Sequence, residues 1–181
     1  MAVLPPNPEL EFSFPIDVTQ VAALGRDYTL IAKEDERKRV AKRLDLLELT
    51  TLRAHLHVTP GEGGVVAVTG RLAADVSQEC VVTLVPVKAS VAEEFSRSYT
   101  RQVSKTFVED IDVEISDDPP EELHGDVLDL AEVVVEQLAL LINAYPRAPG
   151  AVFKPQAASL DESPKAAVSP FAVLAKLKTK S

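Results

Sequence analysis

Two alternating runs around a glycine-rich break, between Thr51 and Ala74, admit little except an antiparallel hairpin. Leu52, Ala54, Leu56 and Val58 alternate with Arg53, His55 and His57. Past the turn chemistry of TPGEGG at 59–64, Val66, Val68, Gly70, Leu72 and Ala74 alternate again. A period of two sends successive side chains to opposite faces of a strand. The glycines supply the backbone freedom that a tight connection requires. Cys80, Val82 and Leu84 continue the pattern as a third strand, which Pro86 interrupts, and Val87, Ala89, Val91, Glu93 and Phe95 make a fourth. Such a meander buries one face and leaves the other wet.

Other segments supply cover for that face. Residues 10–18 alternate Phe12, Phe14, Ile16 and Val18 as a strand. A short helix or turn at 19–24 ends at Gly25, and a short strand follows at 28–31. Residues 33–47 read as a helix with Val40, Leu44 and Leu47 on one stripe. Val113 and Ile115 suggest a further strand before the DDPPEE turn at 117–122. A second helix runs over 130–143, with Asp129 at its N-cap and Glu132 at capping-box spacing, and Tyr145–Pro146 stops it. The expected fold class is therefore α+β: an antiparallel sheet of about five or six strands, curled toward a barrel, packed with two main helices. Residues 1–153 form one domain, 154–168 a flexible linker rich in Pro, Ala, Ser and Lys, and 169–178 a short amphipathic helix.

Charge narrows the function. The chain carries −9 overall, but the end from Lys154 onward has five Lys against Asp161 and Glu162, leaving −12 on the rest. A body of that sign repels phosphate, so a uniformly basic nucleic-acid binder is excluded, though a local basic face is not. The one cysteine excludes an internal disulfide and suits a reducing cytoplasm. No apolar run approaches the length of a membrane span and no secretory signal is expected.

The run at 68–87, VTGRLAADVSQECVVTLVPV, resembles the large ribosomal RNA subunit accumulation protein (YceD) family. That family has a Gly-x-Leu strand, here Gly70, then a strand opening with Cys, here Cys80, and closing on a Pro-Val pair, here Pro86. GDVLDLAEVVVEQLALLINAYPRAPG at 125–150 resembles the family's acidic Asp-Leu helix and proline-bearing exit, with Asp126, Asp129, Leu130 and Pro146 at motif positions. SPFAVLAKLK at 169–178 resembles its C-terminal Pro-Phe-x-x-Leu-x-x-Leu segment. Residues 1–51 match least. The resemblance implies a non-enzymatic accessory protein of bacterial ribosome production. It would support accumulation of large-subunit ribosomal RNA by binding that RNA or assembly and processing proteins. Many members carry a C-x-x-C pair where this chain has Cys80-Val81-Val82-Thr83. With Thr83 in the second position no zinc clamp forms from this loop, and no metal or cofactor is expected.

The residues themselves offer several candidate sites. Arg37, Lys38, Lys42 and Arg43, with Arg39, concentrate positive charge on one helix and could touch RNA phosphate. The alternative is a solvated surface with Glu34 and Asp35 pairing forward to Lys38 and Arg39. Pro170, Phe171, Leu174 and Leu177 form an apolar stripe that either docks on its own domain or enters a partner's groove. His55 and His57 share a strand face with Arg53, and His124 is remote, an arrangement that reads as wet surface rather than a metal site. Cys80 reads as a small buried hydrophobe rather than a nucleophile. The eleven acids between Glu109 and Glu132 do not align as a calcium loop and read as solvated surface. No catalytic residue and no small-molecule substrate are expected.

Overall fold

The structure, a computed structural model, describes residue 7, residues 10–101 and residues 119–153. Its centre is a long meander. Strand β1 (Pro15–Asp17) precedes β2 (Arg26–Ile31), helix α1 (Glu34–Arg43), β3 (Glu48–Pro60), β4 (Val65–Glu79) and β5 (Pro86–Thr100). Then come β6 (Glu121–Glu122), β7 (Val127–Asp129) and helix α2 (Leu130–Leu141). The main sheet runs β2-β3-β4-β5-β6, and β1 pairs with β7 in a separate antiparallel ribbon. No helix among the described residues is long and apolar enough to cross a membrane.

Register explains the burial. Val58 pairs with Val68, Leu56 with Gly70, Ala54 with Leu72 and Leu52 with Ala74, so the apolar set of each strand falls on one face. Leu52, Ala54, Leu56, Val58, Val68 and Leu72 are all buried there. The opposite face carries Arg53, His55, Arg71 and Thr69. At Gly70 the close approach of strands leaves no room for a side chain: a Cβ would overlap Leu56 Cδ2 and stand 2.7 Å from the His55 carbonyl oxygen. Glycine is required by contact here, not by backbone conformation.

Helix α2 closes the core. Leu130, Ala131, Val133, Val134, Val135 and Leu138 are buried, each of the larger ones contributing about 1.5–3 kcal/mol by leaving water. Asp129 caps the helix as expected: its Oδ1 accepts from the Ala131 and Glu132 N–H groups at 3.0 and 3.3 Å. The same oxygen accepts from the Phe14 N–H at 2.8 Å, and Oδ2 accepts from the Ser13 hydroxyl at 2.6 Å. One carboxylate thus starts the helix and ties the N-terminal segment to it.

Several expectations need correction. The sheet is open rather than barrel-like, because β2 and β6 are its two edges among the described residues. It is also mixed, since β6 runs parallel to β5. The third strand expected at Cys80–Leu84 is a turn: β4 extends only to Glu79, and Pro86 opens β5 instead of interrupting a strand. Helix α1 stops at Arg43. Asp45 takes a left-handed conformation (φ 53°), so Leu47 leaves the stripe and lies 53% exposed. Glu132 does not complete a capping box, because Arg43 engages its carboxylate. The strand expected over residues 10–18 is only three residues long. The expected strand at Val113 and Ile115, the linker at 154–168 and the helix at 169–178 lie outside the described residues.

Candidate functional site

Helix α1 displays the basic cluster, and its partners divide that cluster in two. Arg43 donates to both Glu132 oxygens and to Glu11 at 3.2 Å, and the Glu132 hydrogen bonds push its pKa further up. Arg39 donates to the Glu11 carbonyl at 3.1 Å. These two arginines bind α1 to α2 and to the N-terminal segment, so Arg43 is structural rather than displayed. Arg37, Lys38 and Lys42 line a cavity of about 670 Å³ with Glu34, Asp45 and Glu48. Lys38 pairs with Glu34 at 2.6 Å as the helical spacing predicts, both side chains being well exposed. Arg37 donates to the Ala32 carbonyl at 2.7 Å.

The outer sheet face holds the two strand histidines. His55 Nδ1 lies 3.1 Å from Thr29 Oγ1, and His57 Nδ1 lies 2.8 Å from Asp27 Oδ1. The other His57 nitrogen abuts Gly25, where a Cβ would stand 2.5 Å from it. His124 stays apart, 3.5 Å from Glu122. Among the described residues no group of three or more His, Cys, Asp or Glu converges as a metal site.

Cys80 sits at the start of the turn between β4 and β5, fully buried. The Ala148 N–H donates to its sulfur at 3.2 Å. This bond, followed by the Thr83 hydroxyl, lowers the thiol pKa to about 6, against the opposing effect of burial. Thr83, three residues on, serves as a hydroxyl donor to the Cys80 sulfur. The thiol is thus an anchor for the segment leaving α2. That segment is also held by the Val81 N–H donating to the Pro146 carbonyl at 2.9 Å.

The remaining motif positions are structural too. Asp126 pairs with Arg101 at 2.7 Å, and its carbonyl accepts from the Val18 N–H at 2.9 Å. Leu130 is buried, and its N–H donates to the Phe14 carbonyl at 3.0 Å. Pro170, Phe171, Leu174 and Leu177 lie outside the described residues. Sequence reading placed Leu84 on a strand and Tyr145 at the end of a helix; the structure leaves both side chains exposed. On α2, Glu136 has its carboxyl raised by burial and by the charges of Glu132 and Glu121.

A family model described as Large ribosomal RNA subunit accumulation protein YceD matches residues 68–178, more than half of the chain. The match begins within β4 and covers the Cys80 turn, β5 and α2. No curated protein and no solved structure matches.

Proposed function

The chain belongs to the large ribosomal RNA subunit accumulation protein YceD family, and from that premise we propose that it supports large-subunit ribosomal RNA by binding, with no bond made or broken in a pocket of its own. The family match is the observation that carries this reading. In the cytoplasm the protein bridges ribosomal RNA, or its processing machinery, and a protein partner. Arg37, Lys38 and Lys42 meet phosphate at the cavity beside α1, while Arg43 holds that helix in place. Such a contact carries no base readout, so it positions rather than specifies.

Salt dependence tests the RNA contact. Three phosphate contacts on a single strand predict a slope of roughly −2 in log affinity against log salt. Reversing Arg37, Lys38 and Lys42 to Glu should abolish the binding and flatten that slope; unchanged affinity refutes the contact. A second reading, a pure protein-interaction module, draws support from the engagement of Lys38 by Glu34 and of Arg37 by Ala32. It predicts no RNA affinity at physiological salt. Either reading fails if cells lacking the gene hold normal mature large-subunit RNA.

A further inference from the structure

The two edges of the main sheet are closed to different degrees. Edge β6 is only Glu121–Glu122, and a short, charged edge deters further pairing. Edge β2 spans Arg26–Ile31, pairs with β3 without a register break and contains neither Pro nor Lys. Antiparallel pairing alternates, so every second residue of an edge strand turns its N–H and C=O outward. The Ala32 N–H donates to the Leu52 carbonyl at 3.0 Å, in register with the pairing of Leu30 and Ala54. Arg26, Tyr28 and Leu30 therefore bond to β3, while Asp27, Thr29 and Ile31 present their backbone groups outward. All of that outward set is exposed, Ile31 at 70%. Among the described residues no strand pairs with it. Its one charged side chain, Asp27, is engaged by His57 Nδ1 at 2.8 Å on the wet face.

We propose that β2 is the interface of a two-fold homodimer, in which it pairs antiparallel with β2 of a second copy and the two sheets join edge to edge. An isologous contact must be self-complementary, and one register satisfies this edge completely. Centred on Thr29, it sets Thr29 opposite Thr29 and Asp27 opposite Ile31, so every outward N–H and C=O finds a partner. A centre at Tyr28 would set Ile31 opposite Gly25, whose N–H already donates to the Ala22 carbonyl. A centre at Leu30 would set Asp27 opposite Lys33, whose N–H and carbonyl are taken by Glu36 and Arg37. A centre at Asp27 would bring two aspartates face to face. In the Thr29 register Asp27 lies diagonal to Lys33 of the second copy, within reach of a long side chain. Between Arg26 and Lys33 the edge carries those two cations and Asp27, a net of +1, and Glu34 beyond it is paired with Lys38. The acidic edge β6 is four strand spacings away, roughly 19 Å against a Debye length of about 8 Å at physiological salt. Repulsion between the two bodies of −9 is therefore strongest at low salt. The dimer stands or falls independently of RNA binding.

Sedimentation equilibrium of the full-length protein should show the mass rising from monomer to dimer with concentration, more readily at physiological than at low salt. Thr29→Lys and Thr29→Glu each set like charges face to face on the axis and should raise the dissociation constant about fivefold. An equal mixture of the two variants should dimerise again, because only the two-fold register opposes Thr29 to itself, and this recovery separates repulsion from misfolding. Ile31→Lys, which meets Asp27 of the second copy, should dimerise at least as well as the parent and controls for added charge at the edge. A monomer at every concentration, a dimer indifferent to charge at Thr29, a mixture no better than its components, or Ile31→Lys as weak as Thr29→Lys would each overturn the proposal.

Discussion

Replacing Gly70 by alanine puts the packing of the central hairpin to a direct test. The added methyl would overlap Leu56 Cδ2 and sit 2.7 Å from the His55 carbonyl oxygen. Leu56 can rotate, at the expense of its buried position. The carbonyl cannot move without disturbing the β3–β4 ladder, in which Leu56 faces Gly70. Overpacking of this kind costs about 1–3 kcal/mol, partly offset by about 0.4–1 kcal/mol from a stiffer unfolded chain. A net loss of about 1–2 kcal/mol should lower Tm by roughly 2–8 °C at this chain length. Gly61→Ala is the matched control. Its φ is −109° and the nearest atom to a Cβ there is Val65 O at 3.5 Å, so it should be neutral or slightly stabilising. Thermal melts followed by circular dichroism, with urea titrations for the free energies, read both variants. If Gly70→Ala melts at or above the parent, or Gly61→Ala falls equally far, the contact argument is wrong.

Three further outcomes are expected. Asp129→Ala should cost about 1–2 kcal/mol and speed hydrogen exchange at Phe14, Ala131 and Glu132 together; loss at the helix alone would show that the N-terminal segment is held otherwise. A double-mutant cycle of Arg43→Met with Glu132→Gln should give a coupling of about 0.5–1 kcal/mol, since the pair is partly exposed and screened; zero coupling removes the clamp. Cys80, with its folded-state pKa lowered to about 6 by the Ala148 and Thr83 hydrogen bonds, should be found as the thiolate at neutral pH. Stability from this group is present above the unfolded thiol pKa and is lost as pH falls through about 6. Thiolate absorbance at 240 nm in the native protein should titrate near pH 6, and a midpoint at or above the ordinary thiol value contradicts the bonding to Ala148.

The hairpin and α2 were readable because burial writes a local period: every second residue of β3 and β4, and the broad apolar stripe after Asp129. The turn at Cys80–Val85 was not. Its residues alternate in sequence like a strand, but Val81 and Cys80 find their partners at Pro146 and Ala148. Those bonds take the segment out of the ladder, and no local pattern announces them. Leu47 failed for a similar reason: the helical stripe extrapolates through it, yet Asp45 turns the backbone before it arrives.

The candidate site divides along the same line. The basic residues of α1 were visible as a run, but a run does not say which charges are free. Arg43 meets Glu11 and Glu132, the latter 89 residues away, and becomes a clamp; Lys42 beside it lines an open cavity. The amino-acid order alone settled the α+β class, the faces of the long strands and the cap of α2, because each depends on neighbours within a few positions. Only the tertiary arrangement settled which cations remain displayed and that Cys80 acts as an anchor. Hydrogen bonds and ion pairs act over a few ångströms in space, whatever the distance along the chain.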